Sequence, residues 1–196
     1  MFVQVIQAKL TDPDLLERQL ERWRKEIKPG AKGYLGSTGG NTADGQHVAI
    51  VRFESEAAAQ ANSNRPEQDA WMNETAKAFG GPPDFIESSD IDVLFGGGSD
   101  DAGFVQIMKG KAKDMAAFRK WGKDHEGDLR QIRPDLIGGI DIYQPDGSFV
   151  SVAYFTSEAE ARKNERAMGE NPMMGEYMSH MDGEIEFLDL TKPDID

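Results

Sequence analysis

The sequence predicts an α+β protein made of two consecutive β-α-β-β-α-β units, and three observations support this. The second half of the chain repeats the first at a constant shift of 102 residues, which takes Phe2 to Phe104. Strand and helix patterns follow one another in the same order in both halves. A polar, glycine-rich stretch at residues 96–102 separates the halves. We therefore expect a first unit at residues 1–95, a linker at 96–102 and a second unit at 103–196.

The constant shift is the main evidence for a repeat. Between residues 2 and 64, the residues with an identical partner 102 positions later are Phe2, Val3, Gln4, Lys9, Asp12, Gly36, Asp44, Gly45, Val48, Phe53, Ser55, Glu56, Ala57, Ala59 and Asn62. No insertion interrupts the shift across predicted strands, helices and turns. A duplicated unit explains this pattern better than chance similarity does.

The elements of the first unit follow from local patterns. Residues 2–8 are apolar and β-branched with interleaved glutamines, which predicts a strand. Asp12 is a suitable helix N-cap and Pro13 a suitable first residue, and apolar residues then recur at spacings of three and four up to Ile27. The remaining predicted elements are a strand from Tyr34, a hairpin turn at Asp44-Gly45, a strand at 47–53, a helix from Ser55 that is interrupted at Arg65-Pro66 and resumes over 67–79, and a strand at 85–95.

The second half predicts the same order. Its elements are a strand at 104–110, a helix at 115–132, a strand at 136–143, a turn at 145–147, a strand at 149–155, a helix from Ser157 and a strand at 184–190. The β-α-β-β-α-β order is the ferredoxin-like arrangement, in which both helices cover one face of the sheet. Two open faces in one chain would bury each other well, so we expect a pseudo-two-fold α/β barrel. It could be a monomer with an internal pseudo-dimer, or a homodimer of chains.

Composition excludes several classes of function. The net charge of −13 disfavours a nucleic-acid partner, because phosphate binding needs a basic face. The absence of cysteine removes disulfides, thiolate catalysis and cysteine-ligated metals. No apolar stretch is long enough for a membrane helix, and the chain starts directly in a strand without a signal peptide. We therefore expect a cytoplasmic protein.

The strand end and helix start at Phe53-Glu54-Ser55-Glu56-Ala57, with its counterpart at residues 155–159, resemble the dimeric α/β-barrel superfamily. That group includes antibiotic-biosynthesis-type and haem-degrading monooxygenases, and residues 53–71 are similar to its uncharacterised actinobacterial members. The resemblance implies an enzyme that acts without a cofactor, such as an oxygenase or isomerase, on a small apolar or aromatic molecule. The alternatives are a non-catalytic ligand-binding protein and a structural protein whose barrel is filled by side chains.

Haem degradation is disfavoured, because the residues that the haem-degrading relatives use are missing. The matching strand position holds Ala8 or Gly110, where the relatives have Asn. Asn62 or Asn164 stands in place of Trp, and Met72 or Met174 in place of His. We expect neither a cofactor nor a metal, since no pair of residues has an established metal-ligand spacing.

Strand alternation selects four candidate residues around the ligand pocket that the superfamily keeps between its sheets. On the first strand of each half, the β-branched residues should pack under the helices, so Gln4 and Gln106 point away from them. On the strand that ends at Phe53 or Phe155, these two rings should pack beneath the second helix, so Arg52 and Tyr154 point the other way. Arg52 would hold an anionic or enolate oxygen, and Tyr154 would donate a proton or a hydrogen bond. Alternatively, Arg52 pairs with a carboxylate and Tyr154 only packs.

Four further residues are candidates on the helices. His125 stands where the first half has Trp23, and is either a general base or a partly buried histidine hydrogen-bonded to the backbone or to a neighbouring carboxylate. Trp71 would roof the cleft of the first unit. Met174 and His180 belong to a methionine-rich segment that would line an adaptable pocket, or simply pack in the helix core.

Overall fold

The computed structural model describes all 196 residues and contains two compact units. Unit 1 comprises Met1–Ser89 together with Asp194–Asp196, and unit 2 comprises Asp90–Pro193. Each has a five-stranded antiparallel sheet and three helices. This confirms the expected mixed α and β architecture, which is consistent with a ferredoxin-like fold.

The elements follow the predicted order with few changes. Those of the first half are β1 (Phe2–Lys9), α1 (Pro13–Arg22), β2 (Tyr34–Asn41), β3 (Gln46–Phe53), α2 (Glu56–Ser63), α3 (Pro66–Thr75), β4 (Asp84–Ser88) and β5 (Ile91–Leu94). Those of the second half are β6 (Phe104–Lys111), α4 (Met115–Ile132), β7 (Leu136–Tyr143), β8 (Ser148–Phe155), α5 (Glu158–Gly169), α6 (Pro172–Ser179), β9 (Glu186–Leu190) and β10 (Asp194–Ile195).

Local chemistry sets the helix boundaries. The Asp12 carboxylate accepts the Leu15 amide at 2.9 Å and caps α1, as predicted. After α1 the chain widens into a π-helical turn and then tightens into a 3₁₀ turn before the next strand. Pro66 begins α3, which confirms the predicted interruption of the second helical region. The corresponding break at Pro172 was not predicted, although the reason is the same.

The strand order in unit 1 is β10-β2-β3-β1-β4, and in unit 2 it is β5-β7-β8-β6-β9. The single strand predicted at residues 85–95 was wrong, because the chain turns at Ser89 and forms two strands in different sheets. β4 pairs with β1, whereas β5 pairs with β7 of unit 2. β10 in turn pairs with β2 of unit 1. The chain therefore passes from unit 1 to unit 2 at 89/90 and returns to unit 1 at 193/194.

The predicted faces of β1 and β6 were wrong, whereas Phe53 and Phe155 lie beneath a helix as predicted. Phe2 lies directly opposite Phe53, and both rings pack against Ala59 of α2. Phe104 and Phe155 pack in the same way against Ala161 of α5. The aromatic residues therefore face the helices, because the small alanines of the helices leave room for large rings. The β-branched residues Val3, Val5, Val105 and Ile107 lie on the opposite face of each sheet, where they are buried. We call this face, which is turned away from the helices of its unit, the open face.

Candidate functional site

A carboxylate projects toward the helices from β7, the second strand of the unit 2 sheet. Asp141 lies in β7 directly opposite Ser151 of β8 and Asp92 of β5. Tyr143, two residues along the same strand, shares this face and packs with Phe118 of α4. Asp141 thus stands on the helix-covered face, where apolar side chains are the rule.

Burial raises the pKa of Asp141 to about 6, although a hydrogen bond from Ser151 opposes the shift. The charge of Asp92 raises the pKa further, and Arg119 lowers it. The Tyr143 hydroxyl group donates to Asp141 Oδ2 at 3.5 Å. The side chain is only partly accessible. A carboxylate with a pKa near neutrality is suited to general-base chemistry.

Arg119 of α4 fixes the edge strand beside this carboxylate. Its Nε and Nη2 atoms donate to the two Asp92 oxygens at 2.9 Å each, and Nη1 donates to Asp90 at 2.7 Å. The guanidinium carbon lies 4.3 Å from the ring centroid of Tyr143. Burial opposes the ionisation of Asp92, but the hydrogen bonds and charge of Arg119 outweigh it and lower the pKa of Asp92. Arg119 is therefore occupied by Asp92, which leaves Asp141 without a direct ion pair.

Aromatic side chains from α4 and α6 surround the helix side of this region. Tyr177 contacts Phe118 and Trp121, with centroid distances of 5.7 and 5.6 Å. Burial and the charge of Asp141 raise the pKa of Tyr177, so its hydroxyl group stays neutral and able to donate. His180 lies 5.9 Å from Trp121 between ring centroids. The arrangement combines a partly accessible base, neutral phenols and aromatic surface.

His125 belongs to the outer part of the same cluster. Its ring stacks on Trp121 at 4.7 Å, and Nδ1 lies 2.8 Å from the Trp121 carbonyl oxygen. Nε2 lies 3.7 Å from a carboxylate oxygen of Glu176. This is the backbone-bonded arrangement named as the alternative to a general base. The structure thus brings two of the predicted residues, His125 and His180, into contact with the same indole ring, that of Trp121.

Trp71 and Met174 have different environments. Trp71 is buried in unit 1, where its Nε1 donates to the Gln19 carbonyl at 2.7 Å and its ring lies 6.3 Å from Trp23. It therefore joins α3 to α1. Met174 is half-buried on α6, whereas its neighbour Met173 is buried in unit 2.

The predicted orientation of Gln4 and Gln106 was wrong, because both side chains face the helices. Gln4 Nε2 donates to Glu87 at 2.6 Å, and Gln106 Nε2 donates to Asp189 at 3.0 Å. Each glutamine shares its strand face with the phenylalanine two residues earlier, which packs under a helix. They consequently do not lie on the same face as Arg52 and Tyr154.

Arg52 and Tyr154 do lie on the open faces of their sheets, as predicted. Arg52 is opposite Val3 in unit 1, and its buried Nε has no hydrogen-bond partner. Gly36 lies across from it, and a side chain there would collide with the guanidinium group. Tyr154 is fully buried in unit 2. Their proposed roles in binding and proton donation remain predictions.

Sequence reasoning missed the group around Asp141, although one signal was present. Asp141 interrupts an apolar strand at a position where the first half has Gly39. Similarly, Ser151 stands 102 residues after Ala49. A search for polar residues acquired by only one half, at strand positions, would have found both.

Comparisons with solved structures support the fold. The chain resembles a candidate monooxygenase from Lactobacillus acidophilus, with a TM-score of 0.70 at 12% identity over 99% of this chain and 98% of that one. For a candidate monooxygenase from Fusobacterium nucleatum the TM-score is 0.72 at 8% identity, over 100% of this chain and 93% of that one. For an anthrone oxidase-like protein the TM-score is 0.65 at 10% identity, over 99% of this chain and 93% of that one. No family model and no curated protein matches the chain. At these identities the likeness establishes the fold alone.

Two further findings concern metals and membranes. The chain has no group of three or more His, Asp or Glu side chains arranged to hold a metal ion. None of its helices combines the length and the apolar character that a membrane span requires.

Proposed function

We propose that the protein is a monooxygenase-like enzyme that oxidises a small aromatic compound without a cofactor, with Asp141 as the base. The observation that carries this proposal is the position of Asp141, a partly accessible carboxylate among neutral tyrosines on the helix-covered face of unit 2. The fold shared with candidate monooxygenases and an anthrone oxidase-like protein supports the reaction class. That last name also suggests the kind of substrate, a ring system with an acidic methylene group.

The reaction needs only the substrate and dioxygen. Asp141 removes a proton from the methylene carbon, and the carbanion, whose charge spreads into the ring, supplies the electrons that reduce O₂. A C–O bond forms and protonation gives a hydroperoxide. Loss of the second C–H proton with cleavage of the O–O bond then gives the ketone and water, so that R₂CH₂ + O₂ becomes R₂C=O + H₂O. Tyr177 has a raised pKa and stays protonated, so its hydroxyl group can donate a hydrogen bond to the developing oxyanion, while Tyr143 donates to Asp141.

Anthrone is a suitable probe, because its oxidation to anthraquinone is followed by absorbance and by oxygen uptake. We expect Asp141→Asn to lower the enzymatic rate by about 100-fold or more, in the range typical of a lost general base. Asp182→Asn, an exposed site in the same unit, is the matched control and should keep the wild-type rate. Full activity in Asp141→Asn would refute the assignment of the base.

The wider architecture is a second part of the proposal. The open face of each sheet is apolar, as Val48 and Ile50 illustrate in unit 1 and Val150 and Val152 in unit 2. Apolar faces of this kind need a cover. Mutual cover would produce the pseudo-two-fold barrel of a tandem duplication within one chain. A crystal structure with the open faces apart would overturn this arrangement.

Arg52 and Tyr154 stay candidates for a ligand site on those open faces. If they bind an anionic ligand, Arg52→Ala and Tyr154→Phe should weaken ligand binding at an unchanged melting temperature. If they serve packing only, the melting temperature falls and binding is unchanged. The second result would favour a barrel filled by side chains, and with it a non-catalytic or structural role for the open faces.

A further inference from the structure

Unit 1 has a groove between the β1 and β4 side of its sheet and helix α2. The cavity has a volume of about 260 Å³. The buried ring of Phe2 lies at its base, and Glu87 and Glu56 contribute carboxylates. Gln60 of α2 lines it too, and none of the lining residues is Lys, Arg or His. The groove therefore offers an aromatic surface and negative charge with no internal cation.

The corresponding place in unit 2 shows what such a surface can hold. The strand registers match at a shift of 102 residues, since Gln4 pairs with Glu87 across the sheet and Gln106 pairs with Asp189. In unit 2 the residue at the position of Gln60 is Arg162. Its guanidinium carbon lies 5.0 Å from the Phe104 ring centroid, and Nη2 donates to Asp189.

The hydrogen bonds around this guanidinium group are extensive. Arg162 Nη1 donates to Glu165 at 3.0 Å, and Nη2 lies 3.7 Å from Glu158. Asp189 is held in place by the Gln106 amide at 3.0 Å. The arrangement is a cation over an aromatic face with oriented carboxylates, which suits the planar fork of arginine.

Unit 1 retains most of this arrangement but lacks the cation. Phe2 replaces Phe104, and Glu87 replaces Asp189 and is likewise held by a glutamine amide. Glu56 stands where Glu158 does in unit 2. Gln60 is shorter and neutral, and its amide donates to Glu56 at 3.0 Å rather than covering the ring.

We propose that the groove of unit 1 binds a guanidinium group from outside the chain, in the place that Arg162 fills in unit 2. The plane of the ligand lies on Phe2, and its N–H groups donate to Glu87 and Glu56. This site is independent of the reaction proposed at Asp141, because it lies in the other unit and shares no residue with it. The guanidinium can belong to a small molecule or to an arginine residue.

The test uses the full chain and three probes, with chemical-shift changes of the Gln4 side-chain amide as the readout. Agmatine represents a small guanidinium compound and N-acetyl-arginine amide an arginine residue, while N-acetyl-citrulline amide is the neutral isostere. We expect a saturable shift with one or both guanidinium probes. The citrulline probe should bind at least 10-fold more weakly, because it lacks the charge. Agmatine binding indicates that a free compound is sufficient, and binding of only the arginine amide indicates a residue in a peptide.

The decisive variant is Gln60→Arg, which supplies the cation from within the chain. It should abolish probe binding and preserve or raise the melting temperature. Ala61→Arg adds the same charge at an exposed neighbour outside the groove and should leave binding near the wild-type level. Glu87→Gln should weaken binding about 10-fold. Equal binding of the citrulline probe, no binding to the wild-type chain, or unchanged binding in a folded Gln60→Arg variant would each overturn the proposal.

Discussion

Replacing Asp141 with Asn should stabilise the protein while it removes the proposed base. The pKa of Asp141 is about 6 in the folded chain, against 3.8 for the free side chain. Asn resembles the protonated form, so the variant avoids the cost of a buried negative charge. A shift of this size corresponds to about 3 kcal/mol, since each pKa unit is worth about 1.4 kcal/mol. For a chain of this length, that is a rise in Tm of roughly 6–12 °C.

The pH dependence has a definite sign. Between pH 3.8 and 6 the folded state holds a proton at Asp141 that the unfolded state has released. The wild-type chain therefore loses free energy of unfolding as pH rises through that window, because its folded state must then carry a buried negative charge. The Asp141→Asn variant has no such charge and does not lose this free energy. The difference in free energy of unfolding between the two should be close to zero near pH 4 and reach its full value above pH 7.

Urea unfolding of both proteins at pH 4 and pH 8, followed by circular dichroism, measures this difference. Asp182→Asn controls for the loss of one negative charge in an acidic chain and should show little change at either pH. An Asp141→Asn variant that is less stable than the wild type at pH 8 would refute the reasoning. It would mean that the hydrogen bonds of the carboxylate outweigh the cost of its burial.

Three further predictions concern residues outside the proposed chemistry. Burial lowers the pKa of His47 to about 4. As pH falls from 6.5 to 4, the unfolded state therefore binds a proton that the folded state does not, and about 3 kcal/mol of the free energy of unfolding is lost. His47→Gln should flatten this part of a plot of the urea midpoint against pH. Arg119→Lys replaces the two-point hydrogen bonding to Asp92 with a single point charge. A loss of about 1 kcal/mol in the free energy of opening β5 should speed its amide exchange roughly five-fold. Unchanged exchange would show that the fork does not hold the strand. Trp71→Phe loses the bond to the Gln19 carbonyl and should cost about 1–3 kcal/mol in urea unfolding, and a neutral result would contradict a structural role for the indole N–H.

The order of the elements could be predicted from the sequence because caps, turns and periodicity are local properties. Asp12 and Pro66 set helix starts that the structure confirms. The faces of β1 and β6 could not be assigned in this way, since alternation separates two sets of residues without saying which set meets a helix. That choice depends on the register of Phe2 against Phe53 and on the small side chain of Ala59, and both are tertiary facts.

The exchange of edge strands was also beyond local signals. Residues 85–95 are a nearly continuous strand pattern, and only the turn at Ser89 separates β4 from β5. β5 pairs with the edge that β7 offers, about 50 residues further along the chain, and local sequence patterns do not reveal such a partner. By contrast, β1 pairs with β3 in the same register as β6 pairs with β8, at a shift of 102 residues. The repeated positions therefore do determine the pairing of these inner strands.

The differences between the two halves are more informative about function than their identities. At one pair of positions, unit 1 has Gly39 and unit 2 has Asp141, so only unit 2 has a carboxylate at this place in its sheet. At another pair, unit 2 fills its groove with Arg162, whereas unit 1 has Gln60 and an open cavity. A side chain that fills a groove adds stability, and a charge buried without an ion pair costs it. Unit 2 therefore retains a carboxylate without an ion pair and unit 1 retains an unfilled groove, and the two features can be removed separately, by Asp141→Asn and by Gln60→Arg.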